Sequence, residues 1–197
     1  MTSESEAKYW VWLNKRSSPE EEKLHGVPPA IRRRRLRFDQ GKLMNVDLNG
    51  LSIARRADRI GVLTDNLLAP GTRGLLFSRR LRELLAYVGV DNIQYFPIRI
   101  DNPVTGTFSE DYQLANIVGL VSCIDIERSD LKMNPDDGSK IDSIDSLVLK
   151  EENMHDFKLF RAAEYFPIII ARHDVRQACL DAGISGIQFL KPEDVFL

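Results

Sequence analysis

The residues suited to acid–base or metal chemistry are dispersed along the chain. The three histidines lie in separate segments, at His25, His155 and His173. The sequence lacks the spacings that mark a zinc protease, a redox dithiol, a phosphate-binding loop, a dinucleotide site or a nucleophilic serine. This favours a binding protein over an enzyme, and we expect neither a cofactor nor a metal ion. An enzyme of unrecognised type, acting on a small molecule or nucleotide, stays an alternative; it needs a pocket lined by groups such as His155, Arg161 or His173.

The residues suited to recognising a partner are charged, and the two signs are segregated along the chain. Basic residues outnumber acidic ones by 12 to 4 from Arg32 to Arg80, whereas acidic residues outnumber basic ones by 10 to 4 from Asp125 to Asp156. Opposed patches of this kind steer association with a charged protein. The alternative is that the two halves face one another and cancel. The candidate partner-binding residues are Arg32, Arg33, Arg34, Arg35, Asp136, Asp137, Asp142 and Asp145.

The whole-chain composition is that of an ordinary globular protein. With 197 residues and a net charge of −2, the chain has no overall nucleic-acid signature and is long enough to bury a core without a metal or disulfide. Its two cysteines, Cys123 and Cys179, lie in apolar segments, which favours buried thiols in a reducing compartment. We see neither a secretion signal nor an apolar run that could span a membrane, so we expect a cytoplasmic protein. Self-association is compatible with the sequence.

One pattern of elements occurs twice. The segment Gly74–Pro97 aligns without a gap on Ile168–Lys191, with identities at Arg82, Gly89, Ile93 and Gln94 of the first copy. Each copy reads as an apolar run, a basic helix, a glycine and a second apolar run, which predicts two similarly placed β-α-β-like units. In the first copy Ser78 is the expected helix N-cap and Gly89 the expected stop.

The remaining elements are predominantly strands. Lys8–Asn14 is apolar on both faces, which predicts a strand covered on both sides or an aromatic face left for a partner. Tyr112–Ile126 reads as one long bent strand or two strands divided near Gly119. Pro97 predicts an edge or a bulge in its strand. We therefore expect an α+β fold with a mostly antiparallel sheet. Residues 71–197 form its main domain, and residues 1–70 form either a subdomain or a continuous part of it.

Several stretches carry a family resemblance. The most specific are YQLANIVGLVSCIDIERSD (Tyr112–Asp130), LFR (Leu159–Arg161) and GIQF (Gly186–Phe189). Over Leu75–Asp194 the chain resembles the immunity-protein family of bacterial polymorphic toxin systems that was first named from a myxobacterial immunity protein. The tryptophan-rich first strand also fits that family. These motifs are core and turn patterns, and none of them is catalytic.

The resemblance implies a small cytoplasmic protein that binds a cognate toxin and blocks it by steric occlusion, without catalytic activity of its own. The acidic turn around Asp136 and Asp137 would suit a basic, nucleic-acid-processing toxin, whereas Arg32–Arg35 would suit an acidic one. The sequence does not choose between these two surfaces. A nucleic-acid-binding module that acts through Arg32–Arg37 is a second alternative.

Overall fold

The described part of the chain folds into two β-sheets and a separate hairpin, with three α-helices. The computed structural model describes residues 7–15, 24–58 and 61–197. In chain order its strands are β1 (Tyr9–Asn14), β2 (Leu24–His25), β3 (Leu51–Arg55), β4 (Asn66–Ala69), β5 (Gly74–Ser78), β6 (Ile93–Asn102), β7 (Thr107–Ser109), β8 (Tyr112–Ile117), β9 (Leu120–Val121), β10 (Asp130–Met133), β11 (Ile141–Ser146), β12 (Leu159–Ala162), β13 (Ile169–Arg172) and β14 (Ile187–Leu190). The α-helices are α1 (Pro29–Arg34), α2 (Arg79–Tyr87) and α3 (His173–Asp181), and short 3-10 helices cover Glu151–Asn153 and Pro192–Asp194.

The larger sheet, here called the N-terminal sheet, is built from β2 to β8. Its strands lie in the order β2-β3-β6-β8-β5-β4, and β7 forms a hairpin with β6. All of its described pairings are antiparallel except β3 with β6. Together with the mostly antiparallel pairing elsewhere, this confirms the α+β class and the predominance of antiparallel strands.

The second sheet, here called the C-terminal sheet, places the first strand of the chain among the last ones. Its order is β14-β1-β13-β12-β9, so β1 is hydrogen-bonded on both sides. Tyr9 and Val11 pack into one hydrophobic cluster and Trp12 into another. The prediction of a strand covered on both faces is therefore correct, and neither tryptophan is left free for a partner: Trp10 is 8% exposed and Trp12 is 1% exposed.

Each of the two aligned segments forms a strand, a helix and a strand. In the first, β5 and β6 are separated by β8, which is antiparallel to both. In the second, β13 and β14 are separated by β1, again antiparallel to both. The two strands of each segment are therefore parallel, with one strand inserted between them. The equivalence of the two units stays a prediction.

The helices α2 and α3 pack together against the two sheets. One hydrophobic cluster joins Leu81 and Leu85 of α2 to Val175 and Cys179 of α3, and it also includes residues of both sheets. The Arg80 guanidinium at the start of α2 donates to carbonyl oxygens after the end of α3, at Ala182 and Gly183. An arginine of one helix therefore satisfies free carbonyl oxygens at the end of the other.

Two local predictions need refinement. The edge or bulge predicted at Pro97 is refined: β6 as a whole is flanked by β3 and β8, but from Ile93 to Pro97 its described pairing is with β8 alone, so the proline lies where the strand is locally an edge. The proline is tolerated because the pairing of β6 with β8 ends at Pro97 while the pairing with β3 begins at Ile98. The apolar run Tyr112–Ile126 does divide at Gly119, whose φ is +125°, but its two strands enter different sheets.

Candidate functional site

The four consecutive arginines form an exposed surface, which we call the arginine patch (Arg32–Arg35). Pro29 opens α1, where its missing N–H is harmless, and Ile31 is buried and anchors the helix to the core. The positive side chains of the last turn favour the negative end of the helix dipole. All four arginines are exposed, and none forms an ion pair within the described residues. The Arg34 guanidinium donates one hydrogen bond, of 3.2 Å, to the Asp47 carbonyl oxygen.

A buried carboxylate lies immediately after the patch. The Asp39 side chain is only 5% exposed and accepts two hydrogen bonds from Arg37, of 3.1 and 2.9 Å. Arg73 contributes a second ion pair at 3.6 Å. The hydrogen bonds that Arg37 donates to Asp39 raise the pKa of Arg37 above its usual value. One carboxylate thus serves two arginines, so positive charge is in excess here.

A third arginine lies beneath this pair. Arg161 is only 2% exposed, and its guanidinium donates to the carbonyl oxygens of Phe166 at 2.9 Å and Phe38 at 3.3 Å. Its Nε has no hydrogen-bond partner within the described residues. Burial lowers the pKa of Arg161 to about 10, and the nearby charge of Asp39 opposes that shift. A buried cation with one unsatisfied donor is unfavourable unless its surroundings compensate it.

Two of these arginines, Arg73 and Arg161, line a cavity between the two sheets. Its volume is about 250 Å³, and its lining is mainly apolar, from Trp12, Leu13, Leu68, Leu75, Pro167 and Ile169. Arg73, Arg161 and Asp39 supply its charged groups. Leu68 and the Arg73 side chain are 60% and 63% exposed, so they stand where the cavity meets solvent. The cavity therefore combines an apolar interior with a positively charged rim.

Two arginines of this region have a left-handed backbone. The φ angles are +51° for Arg35 and +54° for Arg73. This conformation costs an L-residue roughly 1–2 kcal/mol, whereas glycine adopts it freely. Strained residues of this kind concentrate at functional sites. The ion pair between the Arg73 side chain and Asp39 offsets part of this backbone strain, whereas Arg35 has no ion pair within the described residues.

The acidic candidates lie on the β10–β11 hairpin, which we call the acidic hairpin (Asp130–Ser146). Asp137 pairs with Lys140 at 2.5 Å, and this contact, with hydrogen bonds from Ser139, lowers the pKa of Asp137 to about 2. Asp145 pairs with Lys132 at 3.7 Å. Asp136 and Asp142 are exposed without an ion pair among the described residues. The hairpin thus neutralises half of its predicted carboxylates itself, unlike the arginine patch.

The groups named for an enzyme do not converge. His155 lies in an exposed turn and His173 at the start of α3, whereas Arg161 is buried on β12. The cavity beside Arg161 is lined by neither histidine. Burial raises the pKa values of Cys123 and Cys179 to about 12, which is unfavourable for a thiolate nucleophile.

The sequence did not reveal the cluster formed by Arg37, Asp39, Arg73 and Arg161. Phe38 N–H donates to the Thr72 carbonyl oxygen at 3.3 Å, and this long-range contact brings the arginines at 37 and 73 to one carboxylate. The one available signal was Arg161 itself, a charge inside the apolar run KLFRA. A charged residue at a position that a strand buries is a marker of a functional or ion-paired site.

Comparison with known proteins identifies the family. Within the described residues, no helix is long and apolar enough to cross a membrane. No curated protein matches the chain. The model of the immunity protein family Imm11 matches residues 11–194, which extends the resemblance from Leu75 back to the first strand. Because this match covers nearly the whole chain, the protein belongs to the immunity protein family Imm11.

Proposed function

We propose that this protein is an immunity protein that binds a cognate bacterial toxin and neutralises it by steric occlusion, with no catalytic activity of its own. The observation that carries the proposal is the family match over residues 11–194. The dispersed histidines and buried thiols support inhibition by binding alone. Occlusion requires only a complementary surface, which both charged regions could provide.

The candidate contact residues are those of the two charged surfaces. They are Arg32, Arg33, Arg34 and Arg35 on the arginine patch and Asp136, Asp137, Asp142 and Asp145 on the acidic hairpin. The arginines fit an acidic toxin surface, and the carboxylates fit a basic, nucleic-acid-processing toxin. Both surfaces are accessible, so each is a candidate for contact with the toxin.

Co-expression with the toxin-like protein of the adjacent reading frame tests the function. We expect the two proteins to co-purify and the immunity protein to restore growth of cells that express the toxin. A toxin from an unrelated reading frame serves as the specificity control and should not be rescued. Absence of both a complex and rescue, with both proteins present in soluble form, would refute the proposal.

A second function is binding of nucleic acid through Arg32–Arg37. The specific observation that favours it is four arginines exposed together without carboxylate partners in the described part of the chain. Such binding would depend steeply on salt, because each phosphate contact releases counterions. Titration of a labelled oligonucleotide at rising salt distinguishes this function from protein binding. Undetectable binding at low salt removes it.

We further propose that the protein acts in the cytoplasm, where its thiols stay reduced. Cys123 and Cys179 are both buried and free. Unpaired cysteines suit a reducing compartment better than an oxidising one. Cell fractionation with an antibody against the protein checks this location, and recovery from the periplasm or medium would contradict it.

We propose that residues 1–70 and 71–197 form one continuous domain, in which the two strand-helix-strand units serve as equivalent scaffolds. In support, the first segment contributes β1 to the C-terminal sheet and β2–β4 to the N-terminal sheet. Residues 1–6, 16–23 and 59–60 of that segment lie outside the described part. A single cooperative unfolding transition, seen equally by tryptophan fluorescence and circular dichroism, would support one domain, whereas two separate transitions would contradict it.

A further inference from the structure

We propose that the arginine patch and the cavity bordered by Asp39, which follows the patch closely in the chain, form one composite docking site, and that its occupant is an acidic protein segment carrying an apolar side chain next to its carboxylates. This inference rests on the proposed function, since the segment would belong to the toxin. It selects the basic surface over the acidic hairpin. The site comprises Arg32–Arg35, the Arg37 and Arg73 pair on Asp39, and the cavity bordered by Leu68.

The charges define the first half of the occupant. The four patch arginines have no ion pair within the described residues. Arg37 and Arg73 share the single carboxylate of Asp39. Arg161, which also lines the cavity, adds a further positive charge. An uncompensated group of this size attracts carboxylates over distances of about a Debye length, roughly 8–10 Å. The acidic hairpin exerts a weaker attraction, since Lys132 and Lys140 already neutralise two of its carboxylates.

The cavity defines the second half. Its volume of about 250 Å³ is several times the roughly 30 Å³ that one water molecule occupies in the liquid. Most of its lining is apolar, whereas Arg73 stands at its mouth with the side chain exposed. A partner that places a carboxylate at Arg73 and an apolar side chain next to Leu68 would use both features. Arginine beside a buried apolar pocket is the typical make-up of an interface hot spot.

This combination favours a protein over a nucleic acid. A phosphate backbone would engage the arginines but leave the apolar cavity empty. Recognition of single-stranded nucleic acid also relies on exposed aromatic rings on which bases stack. Next to the patch the aromatic side chain is Phe38, and it is completely buried in the core. The composition of the site is instead that of a protein interface, with an apolar centre and a charged rim.

Three variants of the full chain separate the parts of the site. The patch variant carries Arg32→Gln, Arg33→Gln and Arg35→Asn, because asparagine tolerates the left-handed backbone of Arg35. The rim variant carries Arg73→Gly together with Leu68→Ala. Glycine is chosen at position 73 because it adopts the left-handed backbone found there without strain. The hairpin variant removes the same number of charges as the patch variant, through Asp130→Asn, Asp136→Asn and Asp142→Asn, and tests the rival acidic surface at a matched loss of charge.

Binding kinetics to the toxin-like protein of the adjacent reading frame are measured by biolayer interferometry at 50 and 300 mM NaCl. We expect the patch variant to lose about tenfold in association rate at low salt, and this difference to shrink at high salt. We expect the rim variant to dissociate about tenfold faster, because anchors in a desolvated pocket control the off-rate. The hairpin variant should stay within about twofold of the wild type. Thermal unfolding of each variant verifies that it is folded at the assay temperature.

The outcomes distinguish this inference from the proposed function. If the wild type binds and rescues growth but the patch and rim variants bind equally well, the docking site is refuted and the function stands. A large loss for the hairpin variant alone would likewise move the site to the acidic hairpin. If the wild type binds no toxin, the function itself fails. A second experiment uses fluorescence anisotropy to compare the binding of a labelled decaglutamate peptide with that of a labelled 20-nucleotide single strand. If the oligonucleotide binds more tightly and the patch variant loses that binding, the inference that the occupant is a protein is refuted.

Discussion

The Asp39 carboxylate holds together a group of arginines that would otherwise repel one another. It pairs with Arg37 and Arg73, and its charge opposes the loss of protonation that burial favours at Arg161. A buried carboxylate with these partners contributes mainly by preventing an uncompensated buried cation. Asp39 therefore supports the shape of the proposed docking site without having to touch the partner.

The substitution Asp39→Asn removes this charge with little change of shape. We expect the free energy of unfolding to fall by about 1–3 kcal/mol, because Arg37 loses the charged acceptor of its two hydrogen bonds and the buried Arg161 loses a nearby negative charge. Urea denaturation monitored by circular dichroism measures the loss. Asp58→Asn breaks the pair with Arg56, in which both side chains are largely exposed, and should change stability little. Equal effects of the two substitutions would contradict the assigned role of Asp39.

Asp65 should make stability depend on pH in the acid range. Burial alone would raise the pKa of its carboxyl, but hydrogen bonds from Ser185 and Ser78 and the charge of Arg80 together lower it. A lowered folded-state pKa stabilises the fold above the unfolded-state pKa of about 4, and this stabilisation is lost as the pH falls through the folded-state value.

Comparison of the wild type with Asp65→Asn tests this linkage. We expect the variant to be less stable at pH 7 and the difference to shrink progressively below about pH 4. The measurement is the free energy of unfolding in urea at a series of pH values from 2 to 7. A difference that stays constant over that series would show that the Asp65 charge is not responsible.

At the scale of elements, α2 was predictable because its signals are local. Ser78 Oγ accepts from the Leu81 N–H at 3.1 Å, as its position before the helix predicts, and Gly89 has a φ of +76°. The arginine cluster was not predictable, because Arg37 and Arg73 meet only through pairing of distant loops. Pro97 correctly indicates a position that is locally an edge, but the sequence does not show that the strand beside β6 changes from β8 to β3 at that residue.

Two adjacent leucines of α2 test how far the helix serves as scaffold. Leu85 is completely buried in the cluster that joins both helices, whereas Leu84 is only partly buried at its margin. We expect Leu85→Ala to lower the free energy of unfolding by about 2–5 kcal/mol and Leu84→Ala to lower it less. Urea denaturation gives both values. A folded Leu85→Ala protein that no longer binds the toxin would contradict a purely structural role.

At the scale of the whole molecule, a close-packed junction of hydrogen bonds joins the two sheets near Asn66 and Gly186. Asn66 at the start of β4 donates to the Gly186 carbonyl oxygen at 3.0 Å and to the Asn14 side chain at 2.6 Å. Asp65 accepts from the backbone and side chain of Ser185. These contacts connect the N-terminal sheet with the loop after α3 and with the end of β1, so the junction links all three regions.

Gly186 tests this junction. Its φ is +82°, and a Cβ atom would collide with the Asn66 carbonyl oxygen and lie 2.6 Å from Thr64 Oγ1. Gly106 has a similar φ of +70° but open space around it, so it reports the backbone strain alone. We expect Gly106→Ala to cost about 1–2 kcal/mol. Gly186→Ala should cost about 1–3 kcal/mol more, because of overpacking. Thermal and urea unfolding measure both, and equal losses would contradict a close-packed junction.

The position of β1 has a consequence for how the chain is made. A ribosome synthesises Tyr9–Asn14 long before its neighbours Ile169–Arg172 and Ile187–Leu190. The N-terminal sheet lies wholly within residues 24–117 and can assemble during translation. Until those two strands have been synthesised, Trp10 and Trp12 lack the neighbours that pair with β1. The nascent chain therefore carries an aromatic strand that is open to aggregation, and a prematurely terminated product would retain it.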